Sequence, residues 1–189
     1  NKKQKENVIA LLPGSRSQEV NKILPEMLKI VHQFPSYKFI IVKSSNICKS
    51  HYDKLIRKNS SKNIFISNEP TLEILRKSKA AAVTSGTATL EAVMMNVPQV
   101  VCYKTSKLNF YLAKFLLKIK YISLVNILLN KECVNVLIQN NLNPKKLSFE
   151  LNRLIDLNYS KKMVLDYKKI HGLLYQRNTS KKIATDILS

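Results

Sequence analysis

The sequence predicts an α/β fold, a doubly wound parallel sheet flanked by helices. Three observations carry that reading. Short apolar runs alternate along the chain with segments of helical periodicity. Proline or glycine marks several of the junctions between them. The chain holds only three glycines, and two of them, Gly14 and Gly86, lie where an apolar run ends and a helical pattern begins.

Asn7 to Leu12 is an apolar run stopped by Pro13-Gly14, as expected of a strand buried on both faces. Ser15 with Gln18 fits a capping box, and Glu19 puts a negative charge in the first helical turn. Pro25 should break that helix and start a second segment, with Leu24, Met27, Leu28, Val31 and Phe34 on one face. The alternation then repeats. Tyr37 to Val42 reads as a strand, His51 to Arg57 as a short helix and Asn63 to Ile66 as a strand. Pro70 to Lys77 follows as a helix, Ala80 to Val83 as a strand of small residues, Thr87 to Met95 as a helix and Gln99 to Tyr103 as a strand. Right-handed βαβ crossovers then make the sheet parallel, and ligands of such sheets bind at the carboxyl ends of the strands. Both glycine turns fall there.

Residues 7–104 therefore form the parallel core, and residues 105–189 a mainly helical part of the same nucleotide-binding domain. In the second part Leu108 to Leu117 is apolar on most sides and bordered by Lys107, Lys114, Lys118 and Lys120. Pro144 to Leu157, Ser160 to Leu174 and Ser180 to Leu188 read as helices. No internal repeat or low-complexity linker interrupts them.

At 189 residues the chain suffices for one domain with its own core, and 45% hydrophobic residues exclude a disordered class. No window approaches the roughly 20 apolar residues of a bilayer span. No signal peptide is visible, and without an initiator Met the chain reads as a fragment. Cys48, Cys102 and Cys133 have no metal-ligand spacing and fit a reduced, cytoplasmic setting. The formal charge of +20 has two explanations. Lysine, asparagine and isoleucine abound, as codon bias in an AT-rich genome would produce, and a field this positive would also attract phospholipid, nucleotide or nucleic acid.

The turn Gly14-Ser15-Arg16 offers backbone N–H groups, a hydroxyl and a guanidinium suited to a diphosphate. The plain alternative is an ordinary strand-to-helix turn with a solvated arginine. The turn Thr84-Ser85-Gly86-Thr87 adds three hydroxyls, and Glu91 lies one helical turn beyond Thr87. A carboxylate there suits a ribose diol; its bland reading is a helix-dipole role for Glu91 and a cap for Thr87. His32, His51 and His171 have no partners at ligand spacing, so no metal site and no cofactor is expected.

Leu-Leu-Pro-Gly-Ser-Arg-x-x-Glu-Val at 11–20 and Ser-Gly-Thr-Ala-Thr-Leu-Glu at 85–91 resemble the two signature stretches of lipid-A-disaccharide synthase. That enzyme is an inverting GT-B glycosyltransferase with Rossmann-like domains. The likeness runs on through 98–104, 121–128, 132–139 and 179–184, in order, over nearly the whole chain.

The resemblance implies the C-terminal, UDP-sugar half of a two-domain enzyme. It assigns Gly14, Ser15 and Arg16, with Ser85, Gly86 and Thr87, to the diphosphate and Glu91 to the ribose. Asn126 and Gln139 match positions close to the nucleotide-sugar. The implied reaction transfers 2,3-diacylglucosamine from UDP-2,3-diacylglucosamine to 2,3-diacylglucosamine 1-phosphate, in lipid A biosynthesis. Arg16 would stabilise the leaving group, without a metal. The general base belongs to an N-terminal acceptor domain, expected to precede Asn1 and absent from this chain.

Two departures stand out. Leu124-Val125-Asn126 replaces a family Leu-Pro-Asn, and Val134 to Gln139 lacks a family proline and carboxylate, which puts any role of that carboxylate in doubt. The resemblance also implies a peripheral place on the cytoplasmic face of the inner membrane. For Leu108 to Leu117 two partners stay open: that membrane surface, or the missing domain or second copy of a homodimer. Other readings are another transferase or an epimerase acting on UDP-N-acetylglucosamine, and a degraded, non-catalytic basic module. Nucleic acid is not expected as a partner, because the chain has no RNA-binding aromatic motif, zinc finger or arginine-rich stretch.

Overall fold

The computed structural model describes residues 5–59, 61–105 and 120–176. It contains a six-stranded, wholly parallel sheet in the order β3-β2-β1-β4-β5-β6. The strands are β1 (Val8–Leu12), β2 (Lys38–Val42), β3 (Ile64–Ser67), β4 (Ala80–Thr84), β5 (Gln99–Tyr103) and β6 (Val136–Ile138). The chain winds outward from β1 through β2 to β3, returns to set β4 against β1, and winds outward again. The reversal between β1 and β4 is the topological switch point, where such sheets open a crevice.

Alternation along the central strands feeds two cores. Ile9 and Leu11 of β1, with Ala80 and Ala82 of β4, face one side. Ala10 and Leu12, with Ala81 and Val83, face the other. The first face is covered by α1 (Ser17–Leu28), α2 (Lys49–Ile56), α6 (Pro144–Ile155) and α7 (Leu157–Gln176), through Val20, Ile23, Tyr52, Leu151 and Tyr167 among others. The second is covered by α3 (Thr71–Lys77), with Ile74 and Leu75, and by Ala92 of α4 (Ala88–Met94). The short α5 (Leu124–Leu129) packs against α4 and α7.

Pro25 does not break the first helix: α1 runs unbroken to Leu28 with the proline inside it. Proline removes the donor that Asn21 C=O would use, a cost of about 3 kcal/mol in a helix interior. Leu24, Met27 and Leu28 are fully buried around it, and each such side chain contributes about 1.5–3 kcal/mol, which holds the last turn in place. Val31 and Phe34 are buried too, but from a 3-10 turn (Val31–Gln33) and the residue after it.

The cap of α1 lies one residue later than Ser15 and Gln18 suggest. Arg16 is the N-cap residue, and Glu19 Oε2 accepts from the backbone N–H of Ser15 at 3.1 Å and of Arg16 at 3.4 Å. The long C-terminal helical pattern is divided at Asp156, whose Oδ1 accepts from the N–H of Asn158 and Tyr159 and starts α7. The β6 strand, from within the mainly helical part, extends the sheet by pairing Val101 with Val136. Leu108 to Leu117 and Ser180 to Leu188 lie outside the described residues.

Candidate functional site

The strand order sets the ends of β1 and β4 side by side, so the two glycine turns become opposite walls of one cleft of 610 Å³. Gly14, Ser15 and Arg16 form one wall; Ser85, Gly86, Thr87 and Glu91 form the other. Gly14 has φ +114°, in the region that favours glycine, and a Cβ there would overlap the Glu19 carboxylate and lie 2.8 Å from the Glu19 Cβ. Its lack of a side chain is thus required twice, by the turn and by the carboxylate folded back over it. Gly86 (φ +155°) has open space where its Cβ would be, which leaves room for a ligand to approach the backbone.

Arg16 is exposed, and its Nη1 is 3.6 Å from Glu19 Oε1. Ser85 donates its hydroxyl to Ile122 O at 3.1 Å, and its N–H to Cys102 O, so this residue ties the second turn to β5 and to the chain before α5. Thr87 is the N-cap residue of α4 but makes no side-chain cap bond, so its exposed hydroxyl is available to a ligand. Thr89 Oγ1 donates to Gly86 O at 2.7 Å and braces the turn, while the first N–H groups of α4 have no side-chain cap. Glu91 is half-buried at the cleft wall.

Two further walls carry no motif. They are Lys43 to Ser45 after β2, with Val42 at its end, and Asn68 to Thr71 after β3. Ser44 joins the first of these to the glycine turn by donating its hydroxyl to Ser15 O at 3.4 Å, while Tyr52 OH accepts from the Ser44 N–H. The only advance signal for both walls is position, each following a parallel strand on the open half of the sheet. Thr84 at the end of β4 also lines the cleft; it is 7% exposed, and its Oγ1 has no hydrogen-bond partner.

Asn126 and Gln139 do not line the cleft. Asn126 is buried in α5, its amide bonded at both ends to the backbone of Cys133 and Val134. Gln139 follows β6 with φ 51°; its Oε1 accepts from Thr105 N–H, and its Nε2 is buried without a partner.

The cleft is not strongly basic, despite the charge of the chain. Arg16 and Lys43 share it with Glu19, Glu69 and Glu91. Glu69 is held by Lys77 at 3.0 Å and Glu19 by the first turn. The cleft therefore offers an anion aimed donors rather than a broad positive field. Among the described residues no group of three His, Cys, Asp or Glu converges as a metal site. His51 bonds Asn21 Oδ1 and His171 bonds Val93 O.

Solved structures with this fold include S. aureus TarM in complex with UDP, at TM-score 0.61 and 15% identity over 98% of this chain and 36% of that one. The calicheamicin glycosyltransferase CalG4 matches at TM-score 0.60 and 13% identity, over the whole of this chain and 46% of its own. The fold is thus the Rossmann-like one of GT-B glycosyltransferases. Among sequence relatives, the lipid-A-disaccharide synthase of Acinetobacter baylyi is 32% identical over 184 residues, 90% of this chain and 46% of that protein. The one of Wigglesworthia glossinidia brevipalpis is 36% identical over 173 residues, 89% of this chain and 43% of that protein. The chain spans about half the length of the relatives it matches. A family model described as lipid-A-disaccharide synthetase matches residues 1–187, and the chain belongs to that family.

Proposed function

We propose that this chain is the UDP-binding half of a lipid-A-disaccharide synthase. The observation that carries the reading is the meeting of both signature turns at the switch point, in one cleft with Arg16 and Glu91. The whole enzyme would transfer 2,3-diacylglucosamine from UDP to 2,3-diacylglucosamine 1-phosphate. An acceptor hydroxyl oxygen bonds to the anomeric carbon as the bond from that carbon to the UDP phosphate oxygen breaks. The hydroxyl proton goes to a base outside this chain, and the electron pair leaves with UDP.

In this reading the leaving diphosphate is met by Arg16, by the backbone of the Gly14 turn and by Gly86 and Thr87, while Ser85, bonded to Ile122 and Cys102, holds the second turn in place. Glu91 accepts from the ribose diol. Gln139 and Asn126 serve the site from behind: Asn126 holds the chain that leads into β6, and Gln139 Oε1 accepts from the N–H of Thr105 just after β5. The diphosphate charge is carried by these groups without a metal, so EDTA should leave UDP affinity unchanged. A UDP-N-acetylglucosamine 2-epimerase shares the fold at 15% identity, a likeness of fold alone.

A peripheral position on the cytoplasmic membrane face is the second part of the proposal. Support comes from the outward face of α7, where Leu157, Leu165 and Leu173 are 72%, 58% and 45% exposed among exposed Lys161, Lys162, Lys168 and Lys169. Asp166, the helix's acidic residue, is paired with Lys131 at 2.6 Å.

Calorimetric titration of the 189-residue chain with UDP tests the site. Arg16→Ala and Glu91→Ala should each weaken binding by roughly 10- to 100-fold, the loss of one hydrogen-bonded charge. Unchanged affinity in both variants would sink the assignment. The isolated chain should show no transferase turnover, and turnover would overturn the division of labour.

A further inference from the structure

The donors of the first turn already hold an anion, and it belongs to the chain. Glu19 Oε2 accepts from the N–H of Ser15 and of Arg16, and Glu19 Oε1 faces the Arg16 guanidinium. These are the groups that the glycine turn would offer to a phosphate. A carboxylate oxygen therefore stands where a phosphate oxygen would stand. Glu19 itself lines the cleft, and its side chain is 29% exposed.

The contacts are also long. At 3.1, 3.4 and 3.6 Å they exceed the roughly 2.7–2.9 Å of a strong charge-assisted hydrogen bond. The carboxylate is near enough to orient the donors, and its contacts are longer than those a well-placed phosphate would make with them. Across the cleft, the Thr84 hydroxyl is buried, unpartnered and in the lining, a second polar group that the protein leaves unsatisfied.

We propose that Glu19 is a resident competitor: a carboxylate seated on the first-turn donors that any phosphate ligand must displace before it can reach them. The inference rests on the nucleotide reading of the cleft. A tethered carboxylate competes at a high effective concentration, in the millimolar range for short tethers. A lone carboxylate or a single phosphate would exchange one anion for another at that turn and gain little. A diphosphate reaches both turns at once, so it regains at Gly86 and Thr87 what the displacement costs at Ser15 and Arg16. Once displaced, Glu19 also releases the Arg16 guanidinium toward the ligand. The apparent affinity of every anion is lowered by the fraction of chains in which Glu19 is seated.

The test titrates the 189-residue chain calorimetrically with inorganic pyrophosphate, orthophosphate and UDP, as wild type, Glu19→Ala and Glu19→Gln. Removing the competitor should tighten pyrophosphate by about threefold to tenfold. Orthophosphate should tighten at the first turn by the same factor, since the competitor acts on every anion there alike. Glu19→Gln keeps an amide oxygen for the same N–H groups, so it should fold as the wild type does and fall between the two. A role limited to capping α1 would lower the unfolding midpoint and leave the pyrophosphate affinity unmoved. If wild type binds UDP while both variants keep the wild-type pyrophosphate affinity, or bind pyrophosphate more weakly, the Glu19 proposal alone is overturned. If no form binds UDP or pyrophosphate, the nucleotide reading falls and takes the proposal with it.

Discussion

Asn126 and Val134 bind each other twice: Asn126 Nδ2 donates to Val134 O at 2.9 Å, and Asn126 Oδ1 accepts from Val134 N–H at 2.9 Å. The same oxygen accepts from Cys133 N–H. One side chain thus mimics a strand partner for the segment that enters β6.

Asn126→Ala would leave those backbone groups without partners in a buried place. Each unpaired group costs about 1–3 kcal/mol, so the variant should lose on the order of 3 kcal/mol in urea unfolding at an unchanged m-value. A loss under about 0.5 kcal/mol would show that water replaces the amide freely.

Gly14→Ala combines a left-handed backbone with the overlap against Glu19. Roughly 1–3 kcal/mol of stability should be lost, read as a lower thermal midpoint, and UDP should bind more weakly because the turn must shift. An alanine variant as stable as wild type would mean that the turn tolerates a rearranged φ.

Glu26 of α1 lies between Lys104, at 2.8 Å, and Lys29, at 3.0 Å. Burial pushes its carboxyl up, but the two ammonium groups together outweigh burial and hold it below the ordinary value of 4.5. A carboxylate with a depressed folded value adds stability above its unfolded value and loses it as pH falls through the folded one. Between about pH 6 and pH 3 the wild type should therefore lose stability that Glu26→Gln does not have to lose, by about 1 kcal/mol. Parallel curves for the two proteins would refute the coupling.

Co-sedimentation with vesicles examines the α7 face. Binding should require anionic phospholipid and fall with added salt, at about 1 kcal/mol per surface lysine. Lys161→Glu with Lys168→Glu should weaken it most, and Leu165→Ser less. Equal binding to neutral and anionic vesicles would remove the lysines from the account.

What could be read in advance follows from how local each signal is. Strands β1 to β5 are apolar runs bounded by turn residues, and right-handed crossovers make them parallel, whereas the reversal that sets β4 beside β1 emerges only in the structure. Strand β6 has only Val136, Leu137 and Ile138, and its place depends on pairing with β5, which no local pattern announces. Pro25 misleads because helix-breaking is a local rule, whereas burial of Leu24, Met27 and Leu28 is tertiary. The glycine turns were legible, but the walls at Lys43 to Ser45 and Asn68 to Thr71 emerge only when strands are set side by side. Asn126 shows a further limit, since a buried amide that holds a backbone and one that holds a ligand look alike in sequence.

The pairing of β1 with β4 has a consequence in time. Ile9 registers with Ala80, so β1 and β2 can zip together on a growing chain long before β4 has been made. Until then one edge of β1, the most apolar and later central strand, has no neighbour, an opening for wrong strands to add. The cleft cannot begin to form before that edge is closed. Synthesis builds the first wall early and then leaves it waiting for the second, and slow folding or aggregation of this chain should trace to that interval.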